Sequence, residues 1–373
     1  MKFFINKTNN IIPDNETTKI IAEDDNALEF HQSLSEYHMT PLHEINALSK
    51  EYGVGQIFVK DESFRFGLNA FKGLGASYAM QKYKEVDTYC TATDGNHGRA
   101  VAWSATKLKK SSVVYVPRDT TVNRIRAIEA EGAKVIQTSF NYTDTCQKAN
   151  EKAQEKNWLL IQDTAWEGYE EIPALIMKGY QTMFIEIDLQ LNPIGGVAQY
   201  DIIILQAGVG SMAAAGIFYY LNVYGNKRPK IVIVEPEESN GILQSFKNDR
   251  ITASCGNSKT IMAGLNCELP SYGAWQLIRN GADCSVVVSD ADTRKAMRNF
   301  YYSQGNDTKI ISGESGAAGL AALITILENP DYIDVKNHLN INTNSRILLF
   351  NTEGDTDSET YKNIIGGQEY SIA

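Results

Sequence analysis

Residues 58–79 read FVKDESFRFGLNAFKGLGASYA, and within them Lys72 stands between Phe71 and Gly73, directly before an apolar run. A lysine amine becomes chemically useful when burial beside apolar neighbours holds it unprotonated and aims it. Phe71, Leu74 and Gly75 supply such neighbours, so this stretch is expected to bury Lys72 with a free amine. Ten residues upstream lies Glu62, in the dense Lys60-Asp61-Glu62 cluster. Most lysines near a helix start are simply solvated. The weight placed on Lys72 therefore has to come from the rest of the chain.

The 373 residues suffice for one large domain or two joined ones, and 43% apolar with 21% charged residues is an ordinary globular balance. A net charge of −10 is unfavourable for nucleic acid or an anionic membrane, but a small anion can still bind at a local positive site. Only Phe3-Phe4-Ile5 is apolar near the start, too short for a signal peptide, and no apolar run approaches the roughly 20 residues of a membrane span. A cytoplasmic protein is the expectation. Five cysteines without a CxxC pair, and five scattered histidines, argue against a disulfide framework or a metal site.

From Thr88 onward, β-rich runs alternate with helical segments. The runs are 89–93, 112–116, 134–138, 158–162, 201–206, 230–235 and 346–351; helices are expected over 98–108 and 121–131, and Pro173 is expected at the first position of a further helix. Such alternation predicts an α/β fold with parallel sheets flanked by helices, and runs such as DIIILQ and IVIVE suit sheets covered on both faces. Ligands in these sheets collect beyond the carboxyl ends of the strands. Asp94, Asp163, Gly208 and Thr352 each follow one of these runs, so four separated segments converge on one expected site.

The segment Ala207-Gly208-Val209-Gly210-Ser211-Met212 joins a buried strand to a helix, and its glycines let N–H groups point at an anion near the helix's positive end. The same GVGSMA also satisfies the dinucleotide fingerprint, with Glu235 ending the next strand where a ribose-binding acid would sit. An NAD-dependent dehydrogenase is thus the rival of a phosphate cradle on this segment. It leaves Lys72, the Asp94-Gly95-Asn96-His97 loop and Thr352 without a role, and the fingerprint lies past the middle of the chain. Phosphate is the preferred occupant.

Separated blocks occur in a consistent order: TATDGNHGRAVAW from Thr91, QDTAWEGYEEIPALIMKGYQTM from Gln162, QAGVGSMA from Gln206, TIMAGL from Thr260, SGESGA from Ser312 and NTEGDTD from Asn351. With the Lys72 segment they resemble the fold-type II pyridoxal-phosphate enzymes, tryptophan synthase beta-like, and within them the diaminopropionate ammonia-lyases. The resemblance runs from about residue 37 to 362. It implies two parallel-sheet, three-layer domains with the cofactor between them: residues 1–88 and 195–373 as the large domain, residues 89–194 as a smaller mobile one. It also implies a homodimer.

By the same resemblance Lys72 carries pyridoxal 5'-phosphate beside Phe71, Gly208 to Met212 cradle its phosphate, and Asn96 meets its ring hydroxyl. Thr352, or Asn351 if the alignment slips by one, faces the pyridine nitrogen. A hydroxyl there leaves that nitrogen largely unprotonated and favours elimination. His97 is chiefly structural at this position. Asp163 and Asp94 lie near the substrate, and Asp94 replaces the Ser of many relatives acting on serine or threonine. The implied reaction is α,β-elimination of 2,3-diaminopropionate to pyruvate and ammonia, with Lys72 as base for the L-isomer and Asp94 for the D-isomer. A serine or threonine dehydratase on the same fold is the nearest alternative.

Overall fold

The computed structural model describes residues 2–7, 10–23, 26–93, 95–193 and 196–367. Eleven strands are present among them: β1 (Phe3–Ile5), β2 (Leu42–Glu44), β3 (Gln56–Asp61), β4 (Thr88–Ala92), β5 (Ser111–Val116), β6 (Lys134–Gln137), β7 (Leu159–Leu160), β8 (Ile202–Gln206), β9 (Lys230–Pro236), β10 (Cys284–Val288) and β11 (Arg346–Asn351). They form a seven-stranded sheet in the order β1-β10-β9-β8-β11-β3-β2 and a four-stranded sheet in the order β6-β5-β4-β7. The small sheet is wholly parallel. The large one is parallel except at its edges, where β1 and β2 run antiparallel to β10 and β3. The fold-type II α/β architecture expected from the sequence is the one found. The expected boundary at 194 and 195 lies outside the described residues.

Alternation along the central strands explains why both faces of the large sheet are covered. Ile203 and Leu205 of β8, with Ile231 and Ile233 of β9, pack into one apolar cluster. Ile202, Ile204, Val232 and Val234 point the other way into a second cluster. All seven expected strands are present, but the 158–162 run contributes only Leu159–Leu160. The Ile161 N–H still reaches Cys90 O (2.7 Å), after which the Gln162 side chain takes over the pairing. Its amide accepts from Ala92 N (3.1 Å) and donates to Ala92 O (3.0 Å), so a side chain extends the sheet while the backbone turns away.

Two helix starts also differ from expectation. The helix expected over 98–108 is Asn96–Lys107, which puts Asn96 in its first turn. Pro173, expected at the first helical position, is the third residue of the helix Glu171–Leu191. Proline is tolerated there because first-turn N–H groups have no intrahelical acceptor.

The Lys60-Asp61-Glu62 cluster is not a solvated face. Lys60, Glu62 and Arg65 are fully buried with Glu186 of the helix Glu171–Leu191. Lys60 Nζ lies 2.7 Å from Glu186, and the Arg65 guanidinium bridges Glu62 and Glu186 at 2.8–2.9 Å. The same long helix crosses the helix Gly73–Gln81 that Lys72 precedes, and two glycines permit the close approach. A Cβ on Gly179 would lie 2.5 Å from Leu74 O and 2.9 Å from Gly75 Cα; one on Gly75 would lie 2.6 Å from the side chains of Ile176 and Tyr180. The Gly179→Ala variant should therefore lose about 1–3 kcal/mol through overpacking against backbone. The urea unfolding midpoint checks it, and a parental midpoint would show that the two helices can separate at no cost.

Candidate active site

Lys72 is held at the mouth of its helix by its neighbour: Phe71 N–H donates to Thr352 O (3.1 Å), tying this segment to the end of β11. Its amine is 5.3 Å from the centroid of the Phe71 ring, which packs on Tyr180. The Lys72 side chain is 19% exposed, and that exposure opens into a cavity. Residues beyond the carboxyl ends of β4, β7, β8 and β11 line it together: Asn96 and His97, Asp163, Gly208 to Met212, and Thr352. A concave wall with a few convergent polar groups suits a small organic ligand. Asp94 lies outside the described residues.

Lys72 Nζ donates a short hydrogen bond to Asp163 Oδ2. Burial, the largest influence on the amine, pulls its pKa down, but the Asp163 carboxylate, with lesser help from Tyr180 and Cys267, carries it above the ordinary lysine value. Burial pushes the Asp163 carboxyl up, while Lys72 and then His97 bring it down to about 2. Both directions describe an ion pair. The expectation that apolar neighbours alone keep Lys72 unprotonated is thus corrected: its counter-ion decides. Asp163 is fixed in turn by Ser211 Oγ, which donates to Asp163 O (2.6 Å). His97 Nε2 donates to Ile161 O (2.8 Å), leaving Nδ1 as the unprotonated nitrogen, 3.9 Å from Asp163 and with no hydrogen-bond partner among the described residues. Burial holds its pKa below the usual histidine value.

The glycine loop has the form of an anion cradle. Gly210 adopts φ +94°, which favours glycine, and opens the helix Ser211–Tyr224, whose first N–H groups have no intrahelical acceptor. A Cβ on Gly208 would come within 2.9 Å of Cys267 Sγ and 3.1 Å of Gly264 O, so the cradle stays open only for glycine. Glu235 does not serve a ribose: its carboxylate accepts the N–H groups of Ile242 (2.7 Å) and Leu243 (2.8 Å), and it is absent from the cavity wall. Asn351 points away from the cavity, donating to Asp61 Oδ1 (2.7 Å) and Ile311 O (2.9 Å), whereas Thr352 lines it. Gln206 Nε2 donates to Thr352 Oγ1 (3.2 Å), which leaves the threonine proton available to an acceptor in the cavity.

An anion cradle, a reactive amine, a carboxamide (Asn96) and a hydroxyl (Thr352) on one wall match the chemistry of pyridoxal phosphate: phosphate, aldehyde carbon, ring hydroxyl and ring nitrogen. Tyr142, Cys267, Ser315 and Glu353 also line the cavity and were not singled out from the sequence. Ser315 and Glu353 sit inside the quoted SGESGA and NTEGDTD blocks, which was the available signal. Tyr142 had none, because its place at the site depends on tertiary packing.

A family model described as pyridoxal-phosphate dependent enzyme matches residues 34–339. The chain is 41% identical to the diaminopropionate ammonia-lyase of Salmonella typhimurium over 366 residues, covering 91% of this chain and 90% of that one. It is 38% identical to that of Escherichia coli over 368 residues, covering 93% and 92%. The crystal structure of the Escherichia coli protein in complex with an aminoacrylate-PLP azomethine reaction intermediate superposes with a TM-score of 0.88, at 38% identity over 97% of this chain and 96% of that one.

The ion pair has a definite pH signature. Because Asp163 is depressed to about 2 from an ordinary 3.8, its contribution to stability is present above the ordinary value and is lost as pH falls through the folded one. Asp163→Asn removes the counter-charge and leaves burial acting alone on Lys72, so the amine should titrate lower. Modification of Lys72 in the cofactor-free protein by trinitrobenzenesulfonate, read by peptide mass mapping, should move to lower pH in that variant. An unmoved profile would remove Asp163 as the counter-ion.

Proposed function

Because the chain belongs to the pyridoxal-phosphate-dependent enzymes and, within them, to the diaminopropionate ammonia-lyase family, we propose that it eliminates ammonia from 2,3-diaminopropionate, giving pyruvate and two ammonia. The observation that carries the reading is the Lys72–Asp163 pair on the wall shared with the glycine cradle. Pyridoxal phosphate is the cofactor; bound, it supplies the electron sink that acidifies the substrate's Cα–H bond.

The residues divide the remaining work. Lys72 holds the cofactor at its side-chain nitrogen, and the N–H groups from Gly208 to Met212 hold the phosphate. Asn96 would donate to the ring hydroxyl. Thr352, whose oxygen already accepts from Gln206, would donate its proton to an unprotonated ring nitrogen. The Lys72 amine, when not engaged with the cofactor, would serve as the base for the α-proton of the L-isomer. Asp163, freed from Lys72, pairs with the substrate's β-ammonium; an amine leaves well only in that protonated form, so the carboxylate selects a diamino acid over serine. Asp94 serves as the base on the opposite face for the D-isomer. Residues 89–194 close over the bound substrate and exclude water. The active unit is a homodimer in the cytoplasm, a reading that rests on the family resemblance.

The test is 2-oxoacid release from D- and L-2,3-diaminopropionate, L-serine and L-threonine, each assayed separately. Fast pyruvate release from diaminopropionate with little from serine is expected; the reverse order would identify a dehydratase instead. Lys72→Ala should bring turnover to background and abolish the visible absorption band of the holoenzyme. Asp94→Asn should cost D-isomer turnover more than L-isomer turnover, and equal losses would remove Asp94 as the second base.

A further inference from the structure

Glu353 has no role in the scheme above, yet it is built into the cavity wall. It is buried, with Oε1 accepting the Ser315 N–H (3.0 Å) and Oε2 accepting a short hydrogen bond from Asn96 Nδ2. Its surroundings are shaped to hold it. Gly313 N–H donates to Glu353 O (3.0 Å), and a Cβ on Gly313 would lie 3.1 Å from Glu353 Cγ and 3.2 Å from Oε1. Gly264, whose added Cβ would lie 2.9 Å from Ser315 Oγ, donates its N–H to that same hydroxyl (3.0 Å). Ser315 and Glu353 are thereby fixed as a unit, and the glycines leave the carboxylate in one place.

A carboxamide can turn over, presenting either its N–H groups or its oxygen to a ligand, and its neighbours decide which. Beside Asn96 the neighbour is an acceptor already bound at its other oxygen. We propose that Glu353 is a positioning residue for the cofactor: it orients the Asn96 carboxamide so that the second Nδ2 proton, not Oδ1, is presented to the ring hydroxyl. The inference rests on the reading that Asn96 meets that hydroxyl. It deepens that reading by naming what holds the donor in place. A second buried acid, Glu314, shares the adjoining cavity with Asn96, Glu353 and Arg124. Burial, then Glu353 itself, pushes Glu314 up to about 8. Burial also raises Glu353, opposed by the hydrogen bonds from Ser315 and Asn96 and by the charge of Arg124. The two hydrogen bonds that Glu353 accepts, from the Ser315 N–H and from Asn96 Nδ2, place it rather than Glu314 as the acceptor beside Asn96.

Glu353→Gln is nearly isosteric and separates shape from hydrogen bonding. The glutamine oxygen is needed by the Ser315 N–H, so its NH2 faces Asn96, two donors meet, and Asn96 turns over. The experiment compares the parent holoenzyme, Glu353→Gln, Asn96→Ala and the double variant. It reads the pH midpoint of the visible band, the Kd for pyridoxal phosphate added to the cofactor-free protein, and kcat against KM. Glu353→Gln should move the midpoint and weaken Kd about tenfold or more, the scale of loss when a group that orients a ligand-contacting side chain is removed. Asn96→Ala should do the same, and the double variant should be no worse than either single. A parental band and Kd in Glu353→Gln, or losses that add in the double variant, would overturn the proposal. A parental band in Asn96→Ala would overturn the prior reading of Asn96 and the inference with it. Should Glu353→Gln not fold, Glu353→Asp keeps the charge but withdraws it by one methylene; it should move the midpoint in the same direction, and a parental midpoint there would also overturn the proposal.

Discussion

Four buried charges fix the segment on which the site is built. Taking Lys60, Glu62, Arg65 and Glu186 out of water costs roughly several kcal/mol per ion, so the cluster is tolerable only when all four find one another. Arg65 and Glu186 are separated by 121 residues, which means the pairing forms only when the helix Glu171–Leu191 lies across the end of β3. That docking also seats Gly179 on Gly75 and packs Tyr180 against Phe71. The position from which Lys72 enters the cavity follows from it.

At Lys72 two opposing effects can be ranked. Burial alone can lower a lysine pKa by up to about 3–5 units. Here the net direction is upward, so the contact with Asp163 outweighs desolvation. The site keeps its amine protonated until something takes over the carboxylate. A substrate carrying a second ammonium is suited to that exchange, because it replaces one cation with another and leaves Asp163 paired throughout. A hydroxyl-bearing substrate would leave a buried carboxylate without its cation, which is unfavourable. On the proposed function, one electrostatic constraint would bear on both how the cofactor is held and which substrate is accepted.

The part of the cavity wall that carries Asn96 and Thr352 is organised by hydrogen bonds between separated segments. Gln206 joins Thr352 to the carbonyls of Ser315, Gly316 and Phe350, and Glu353 joins Ser315 to Asn96. Gln206 and Thr352 lie at the ends of the parallel strands β8 and β11, whereas Ser315 and Gly316 lie between the helices Asp290–Tyr301 and Ala318–Glu328, so a modest number of side chains ties strand ends and a helix connection together. Since Asn96 opens the helix that follows β4 of the small sheet and Glu353 follows β11 of the large one, their contact crosses between the two.

How much of this the sequence determined can be judged residue by residue. Strand and helix periodicity located every expected strand, and the rule that ligands gather beyond strand ends selected Asp163, Gly208 and Thr352 without any contact being known. Local chemistry sufficed there, because glycine turns and strand ends are written in adjacent residues. Tertiary structure decided the rest. The choice between Asn351 and Thr352 depends on which side of the chain faces the cavity, and neighbouring residues at a strand end face opposite ways. The protonation of Lys72 depends on Asp163, 91 positions away, and the placement of Asn96 on Glu353, 257 positions away. Hydrogen bonds and charge pairing act over a few ångströms, and only the folded chain determines which distant residues come that close.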